Sequence, residues 1–308
     1  AAAMSARLLD GFQSRLLDAY GTQVIHQAWK PVTVFLNGKY WGHMNLRERV
    51  DRFFIAQFEG LPLDQADEMD ILEANGSVNF GSNKAYRAML KKIKAGSPAT
   101  NPDDLQYILD NVDVDNLFEY MALEMFVGNS DIGNIRYYRL HQEGSKWKWI
   151  WYDADYGLYS SKFNSPWSYL KVKGMGEQKI DNTIFLKLLE HPDYKRKFLE
   201  KLADVYKTFT TEYMTQVLDG VVAEIQPEMK NHWERWGELN DKAVTSEVPT
   251  TIDGAYTYWE SRVNRLYNTL KVRPHRLWDF IKDEFKLTKT EMEELFGPQP
   301  DYPDDAVL

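Results

Sequence analysis

An α+β fold, with a small strand-rich N-terminal part and a larger, mainly helical C-terminal part, is predicted by three features of the 308-residue chain. Two β-prone runs between Pro31 and Leu46 flank Asn37-Gly38, the strongest short hairpin signal, because a type I′ turn needs positive φ at both central residues. From Asn182 to Phe296 the apolar residues recur at helical spacing. Between these regions a strongly periodic helix, Val114 to Val127, leads into two more strand patterns. We expect one domain over 1–297, strand-rich over about 1–96 and helical over 97–297, followed by a Pro/Asp-rich disordered tail over 298–308.

The elements follow in order. Leu8, Leu9, Phe12, Leu16 and Leu17 mark a helix within Met4 to Tyr20. Val32 to Leu36 and Lys39 to Leu46 are the hairpin strands, and helix returns from Arg49 to Phe58. Met69 to Ala74 is a short strand, Asn75-Gly76 a turn, and Ser82 can cap a helix reaching Ile93. Ser97 to Asp103 reads as a joint. Gly128 is placed to stop the Val114 helix. Strands Ile135 to His141 and Lys146 to Tyr152 are joined by Glu143-Gly144. Asp153 to Ile180 is irregular and too long for a plain connection, which marks it as functional or mobile. Asp181 or Asn182 opens the helical region, Pro192 starts its second helix, and Glu212 to His232 and Tyr256 to Lys271 are long and amphipathic.

Composition narrows the function. A net charge of −9 argues against a broad nucleic-acid-binding face, which needs clustered Lys and Arg. With no cysteine there is no disulfide, zinc-thiolate site or thiol nucleophile. No run approaches bilayer length, so no membrane insertion is expected, and an export signal would lie upstream. The 10 Trp, 18 Tyr and 15 Phe are spread over every expected element, which favours a packed core over a sugar-binding surface. Trp233 and Trp236, three apart on a helix, read as packing for the same reason. The six histidines lack zinc-ligand spacing, no Gly-x-Ser-x-Gly elbow occurs, and nothing singles out a glycosidase acid pair.

The chemistry concentrates in Asn129-Ser130-Asp131-Ile132-Gly133-Asn134, then two strands, then Asp153-Ala154-Asp155-Tyr156-Gly157. An Asp and an Asn in the loop after a helix, a hairpin, and another Asp is the pattern phosphoryl transfer needs. One carboxylate orients the attacking hydroxyl, while the amide oxygen and second carboxylate hold the divalent ion bridging the phosphates. The hairpin returns the chain beside its starting loop although 22 positions separate Asp131 from Asp153. Asp153 to Gly157 alone is a common turn composition. It also resembles the opening of a calcium loop, but Asn164 stands where the bidentate Glu is needed.

Four ordered blocks, spanning nearly the whole chain, resemble the CotH spore-coat protein kinase family. They are Val34-Phe35-Leu36-Asn37-Gly38-Lys39-Tyr40-Trp41-Gly42 with Asn45-Leu46-Arg47-Glu48; Asp70 to Gly76 with Gly81-Ser82-Asn83; Trp147 to Gly157; and the helical region with His191-Pro192. The resemblance implies an atypical protein-kinase-like fold and Mg²⁺- or Mn²⁺-dependent transfer of the ATP γ-phosphate to a protein Ser or Thr, the substrate being basic or Ser-rich. Carried over by position, it implies Asp131 as catalytic base, Asn134 and Asp153 as metal ligands, and Asp155 in support. It further implies Glu48 as anchor for a phosphate-contacting Lys or Arg. Asn75, opening the turn Asn75 to Ser82 that can cover phosphates, and Lys84, on the helix that follows, are the remaining nucleotide candidates, although Lys84 alone reads as a surface charge. A bacterial spore coat, cell surface or secreted location is implied as well. The short Asp131-to-Asn134 loop supports a second reading, an inactive surface or secreted interaction module of the same fold, and carbohydrate binding is a third.

Overall fold

The computed structural model describes residues 7–171, 180–236 and 251–304. Helix α1 (Leu9–Tyr20) buries Leu9, Phe12, Leu16 and Leu17, the apolar set that predicted it, and Gly21 at φ 76° ends it by donating to Leu17 O. Strand β1 (Ile25–His26) is too short to leave a sequence signal. Strands β2 (Trp29–Leu36) and β3 (Lys39–Arg47) form the expected hairpin, with Asn37 and Gly38 at φ 51° and 76°. Helix α2 (Arg52–Phe58) begins later than expected because the Asp51 carboxylate accepts from the Phe53 and Phe54 N–H groups and so fixes its start.

Strand β4 (Met69–Glu73) turns through Asn75-Gly76 into β5 (Ser77–Phe80), so part of the expected phosphate-covering loop is an antiparallel strand. Helix α3 (Lys84–Ala95) follows, with the Ser82 hydroxyl accepting from Lys84 N at 3.2 Å. The expected joint at Ser97 to Asp103 instead starts helix α4 (Pro102–Asn111). Asn101 caps it through Asp103 N, Pro102 takes the first-turn position where no donor is needed, and Asp103 and Asp104 face the positive helix end. Helix α5 (Val114–Val127) matches its predicted bounds. Strands β6 (Arg136–Leu140) and β7 (Lys148–Trp151) follow, and the irregular stretch after Asp153 contains a short helix, α6 (Ser165–Tyr169). Residues 172–179 of that stretch lie outside the described residues. Helices α7 (Thr183–Leu189), α8 (Pro192–Thr208), α9 (Thr211–Trp236), α10 (Ile252–Phe285) and α11 (Lys289–Phe296) complete the chain.

Helix α10 continues past the expected end at Lys271 and through Pro274. A proline inside a helix cannot donate to the carbonyl four residues back, here that of Leu270. The Thr211 hydroxyl supplies that carbonyl with a donor at 3.3 Å, and the Tyr206 hydroxyl donates to Pro274 O at 3.0 Å.

Five strands make one sheet in the order β1-β7-β6-β4-β5, with β1 parallel to β7 and the other pairs antiparallel. Its strands come from both sides of residue 96. Alternation along the strands divides the core in two. Leu72, Tyr137, Trp149 and Trp151 face the large cluster built around α5, while Met69, Ile71, Tyr138, Leu140 and Ile150 face a smaller one with Phe54 and Ile55 of α2. Helix α5 is buried on almost every face, as a helix apolar all round should be.

The β2–β3 hairpin stands outside this sheet and docks on α9. Trp236 Nε1 donates to Trp41 O at 2.6 Å with the two rings edge to face, and His43 N donates to His232 Nδ1 at 3.1 Å. A Cβ on Gly42 would stand 2.7 Å from Trp236 Nε1, so the close approach requires glycine. Trp233 is buried, so both tryptophans pack as expected. Of the expected tail, residues 298–304 lie along α10, where His275 Nδ1 meets Pro300 O at 2.7 Å and its ring contacts Tyr302. The fold is α+β, and among the described residues no helix is long and apolar enough to cross a membrane.

Candidate functional site

The site begins where α5 stops. Gly128 takes a left-handed conformation at φ 66° and donates to Glu124 O, turning the chain out of the helix. Asn129, buried, accepts from Asp131 N through its side chain at 3.1 Å, and Asn134 N donates to Asp131 O at 3.3 Å, closing the loop on itself. Pairing of β6 with β7, Arg136 opposite Ile150 and Tyr137 opposite Trp149, then returns the chain beside its start. Asp153, at φ 52°, directs its carboxylate back at the loop in a backbone conformation Asp tolerates better than most residues.

The result is a convergence on one amide. Asn134 Nδ2 donates to Asp131 Oδ2 at 3.0 Å and to Asp153 Oδ2 at 2.8 Å. The two carboxylate oxygens are therefore no farther apart than those two bonds laid end to end. Burial first and the Asp153 charge second push the Asp131 carboxyl above its usual range, against the Asn134 bond. The same two influences raise Asp155. Three half-buried carboxylates thus crowd together short of positive charge. Among the described residues Arg47 is a cation that interacts with both Asp153 and Asp155, and it is engaged with Asp10 and with Ser14 Oγ.

The donor set, carboxylates and an amide with no sulfur or imidazole, suits a hard cation such as Mg²⁺ or Mn²⁺. Asp155 stands near Asp153 but makes no hydrogen bond with it, and no group of three or more acidic or imidazole side chains is arranged as a ready cage among the described residues. Magnesium takes few protein ligands, completing its shell with water and phosphate, so two carboxylates and an amide are a sufficient protein contribution. Asn134 turns Nδ2 toward both acids, so for its Oδ1 to meet a cation held between them the amide must turn over, which exchanges the N and O positions.

Two neighbours that sequence reasoning missed hold this arrangement. Gln13 of α1, buried, donates through Nε2 to Ala154 O at 2.7 Å and Gly157 O at 3.1 Å, clamping the loop that carries Asp153 and Asp155. Glu124, 1% exposed, accepts from the Tyr169 hydroxyl at 2.7 Å beneath the Asp131 loop. Burial pushes its carboxyl up to about 7, against the Tyr169 bond and with some help from the Asp131 charge. The folded state therefore keeps a proton that the unfolded chain releases near pH 4.5, so this group's contribution to stability falls as pH rises from about 4.5 to 7. Glu124→Gln, which keeps an acceptor for Tyr169, is expected to remove that slope. Its stability relative to the parent should rise by on the order of 2 kcal/mol between pH 5 and pH 8 in denaturant titrations.

The nucleotide candidates divide. Asn75 Oδ1 accepts from Asp181 N at 2.8 Å, and Asn75 lines an apolar pocket behind the loop together with Tyr120, Ile132, Ile135 and Trp149. That pocket has about 50 Å³ free, room for one or two waters at roughly 30 Å³ each, so a larger occupant requires its side chains to move. Lys84 opens α3 with an exposed side chain, and no bond joins it to the three acids. Glu48 pairs with no cation among the described residues. Its carboxylate accepts from Ala28 N at 2.9 Å and its carbonyl from the Gln27 side chain, fixing the entry to β2. The adjacent Arg47 is the residue that faces the acids. Adjacent residues leave an extended chain on opposite sides, and the motif alone does not say which side meets the site. A Lys–Glu pair does occur on the sheet, Lys148 with Glu59 at 2.8 Å, but it sits with Tyr138 on the α2 side.

No curated protein matches the chain. The family model described as CotH kinase protein matches residues 3–277, from α1 through the Asp131–Asp153 loops and well into α10. The chain belongs to the CotH kinase family and is kinase-like in function.

Proposed function

We propose that this chain transfers the γ-phosphoryl group of ATP to a Ser or Thr hydroxyl of a protein, with Mg²⁺ or Mn²⁺ required. The observation that carries the reading is the Asn134 amide bonded to both Asp131 and Asp153. Asp131 accepts the proton of the attacking hydroxyl at a carboxylate oxygen. Its proton affinity, raised first by burial and second by the Asp153 charge, makes it a stronger base than an ordinary Asp. Asp153 and Asn134 hold the cation, with Asp155 beside them. When bound, that ion neutralises the phosphate oxygens and the crowded acids together. Asn129 and Gln13 keep the two loops in register, and Arg47 offsets the acids from the β3 side. The substrate is a basic or Ser-rich protein of the spore coat, the cell surface or a secreted complex.

The test is thermal stability with ATP and Mn²⁺. At a hundred times its dissociation constant a ligand adds roughly 2.7 kcal/mol. The parent should show that stabilisation and Asp153→Asn should not. Without ligand, the variant should melt no lower than the parent, because removing one of three crowded charges relieves Asp131 and Asp155. An equal ligand-induced shift in both proteins rejects the assignment.

The second reading, an inactive interaction module, is favoured by one observation. Among the described residues no lysine pairs with Asp131, Asp153 or Asp155. Nucleotide binding without phosphoryl transfer to any Ser-rich acceptor would select it.

A further inference from the structure

Beyond the acidic cluster, the loop that carries Asp153 and Asp155 reaches the face of α10 and borders a groove of about 480 Å³ there. Tyr159, Ser160, Ser161 and Lys162 line one wall, and Ser261, Asn264, Arg265, Asn268 and Thr269 the other. The α10 residues recur at i, i+3, i+4, i+7 and i+8, a single polar stripe along one helix face. A polar stripe facing solvent is ordinary. Three observations set this one apart.

First, the lining contains two cations and no acid, although the chain carries 46 acidic residues against 37 basic ones. Lys162 and Arg265 have no ion-pair partner among the described residues; Arg265 instead lies over the Tyr159 ring, 5.1 Å from its centre. Second, Ser161 is 1% exposed and its Oγ has no hydrogen-bond partner. Buried hydroxyls are normally satisfied, so this one lacks an acceptor. Third, the loop wall is held rigidly from behind. Ser160 Oγ accepts from Lys162 N at 3.2 Å, and the buried Arg273 donates to Phe163 O at 2.7 Å and to Ser165 Oγ at 2.6 Å. A preorganised wall binds without first having to be ordered.

We infer that this groove is a subsite for a phosphate group, carried as a monoester or free as inorganic phosphate. Lys162 and Arg265 supply charge, Asn264 and Asn268 amide donors, and Ser161 and Ser261 hydroxyl donors. That is more donors than a carboxylate accepts, and it suits the several oxygens of a phosphate. Tyr159 is four residues from Asp155, no more than about 14 Å along an extended chain, so the subsite flanks the acidic cluster. The inference rests on the phosphotransferase reading only for where such a group comes from. Two sources share this chemistry, a phosphorylated side chain of the protein substrate and free inorganic phosphate.

The experiment titrates the intact chain, without nucleotide, with a Ser-rich peptide carrying one phosphoserine, with its unphosphorylated twin and with inorganic phosphate. It is repeated on the Lys162→Gln/Arg265→Gln double variant, whose fold is checked by circular dichroism. The subsite predicts that the phosphopeptide binds at least tenfold more tightly than its twin and that the double variant abolishes the difference. Binding of inorganic phosphate alone, also lost in the variant, supports the subsite and names free phosphate as its source. The inference is overturned if neither phosphate probe binds or if the double variant binds them as well as the parent does. Because no nucleotide is present, these outcomes are independent of the Asp153→Asn test.

Discussion

Asp131→Asn is expected to slow phosphoryl transfer by about 10²- to 10⁴-fold, the usual contribution of a positioned general base. The substitution preserves shape. The new side chain still offers an oxygen to Asn134 Nδ2, and the bond from the residue 131 N–H to Asn129 Oδ1 is untouched because it uses only the backbone of residue 131. What disappears is the site that takes the hydroxyl proton, together with one of the negative charges that raise Asp155 and Glu124. Stability should therefore hold or rise slightly, and nucleotide-dependent stabilisation should persist through Asp153 and Asn134. Rates at saturating ATP and Mn²⁺, measured beside melting curves, separate loss of chemistry from loss of fold. A variant that transfers phosphate at the parental rate removes Asp131 from the role of base.

The second large effect is on stability. Arg273 is fully buried and pairs with no carboxylate among the described residues; its guanidinium donates instead to Phe126 O at 2.9 Å, Met125 O at 2.8 Å, Phe163 O at 2.7 Å and Ser165 Oγ at 2.6 Å. Burial lowers its proton affinity, but four acceptors and the negative end of α5 hold the charge in place. A Cβ at Gly128 would meet Arg273 Nη2 at 2.8 Å, so arginine and glycine together form the end of α5. Arg273→Met fills much of the volume but strands the carbonyls. We expect a loss of about 3–5 kcal/mol, in the range for breaking a buried charged network, read as a lower denaturant midpoint. Activity should fall as well, since the loop bearing Asp131 starts two residues beyond Val127.

Legibility in the sequence followed the range of the interaction. Local signals sufficed for α5, whose cap and period are contiguous, for the Asn37-Gly38 hairpin, and for the return of Asp153 toward Asp131, which needs only a β6–β7 pairing between neighbours. Helix α4 carried a local signal that was misassigned: Asn101-Pro102-Asp103-Asp104 reads as a Pro/Asp joint and equally as cap, first-turn proline and acidic first turn. Gln13, Arg47 and Arg273 were not legible, because each acts on residues more than a hundred positions away or, for Arg47, through the packing of a hairpin. Glu124 was hidden differently. An acid in an otherwise apolar helical stretch looks like a solvated position until almost every face of that helix proves to be covered.

The central claim is that Asp153 and Asn134 hold one hard cation beside the base Asp131. A crystal grown with a non-hydrolysable ATP analogue and Mn²⁺ tests it most directly through the anomalous signal of the metal. The account predicts a peak bonded to Asp153 and to the turned-over Asn134 oxygen at about 2.1 Å, with nucleotide phosphate completing the shell. Nucleotide bound with its metal elsewhere, or with Asp131 and Asp153 turned away from each other, contradicts it.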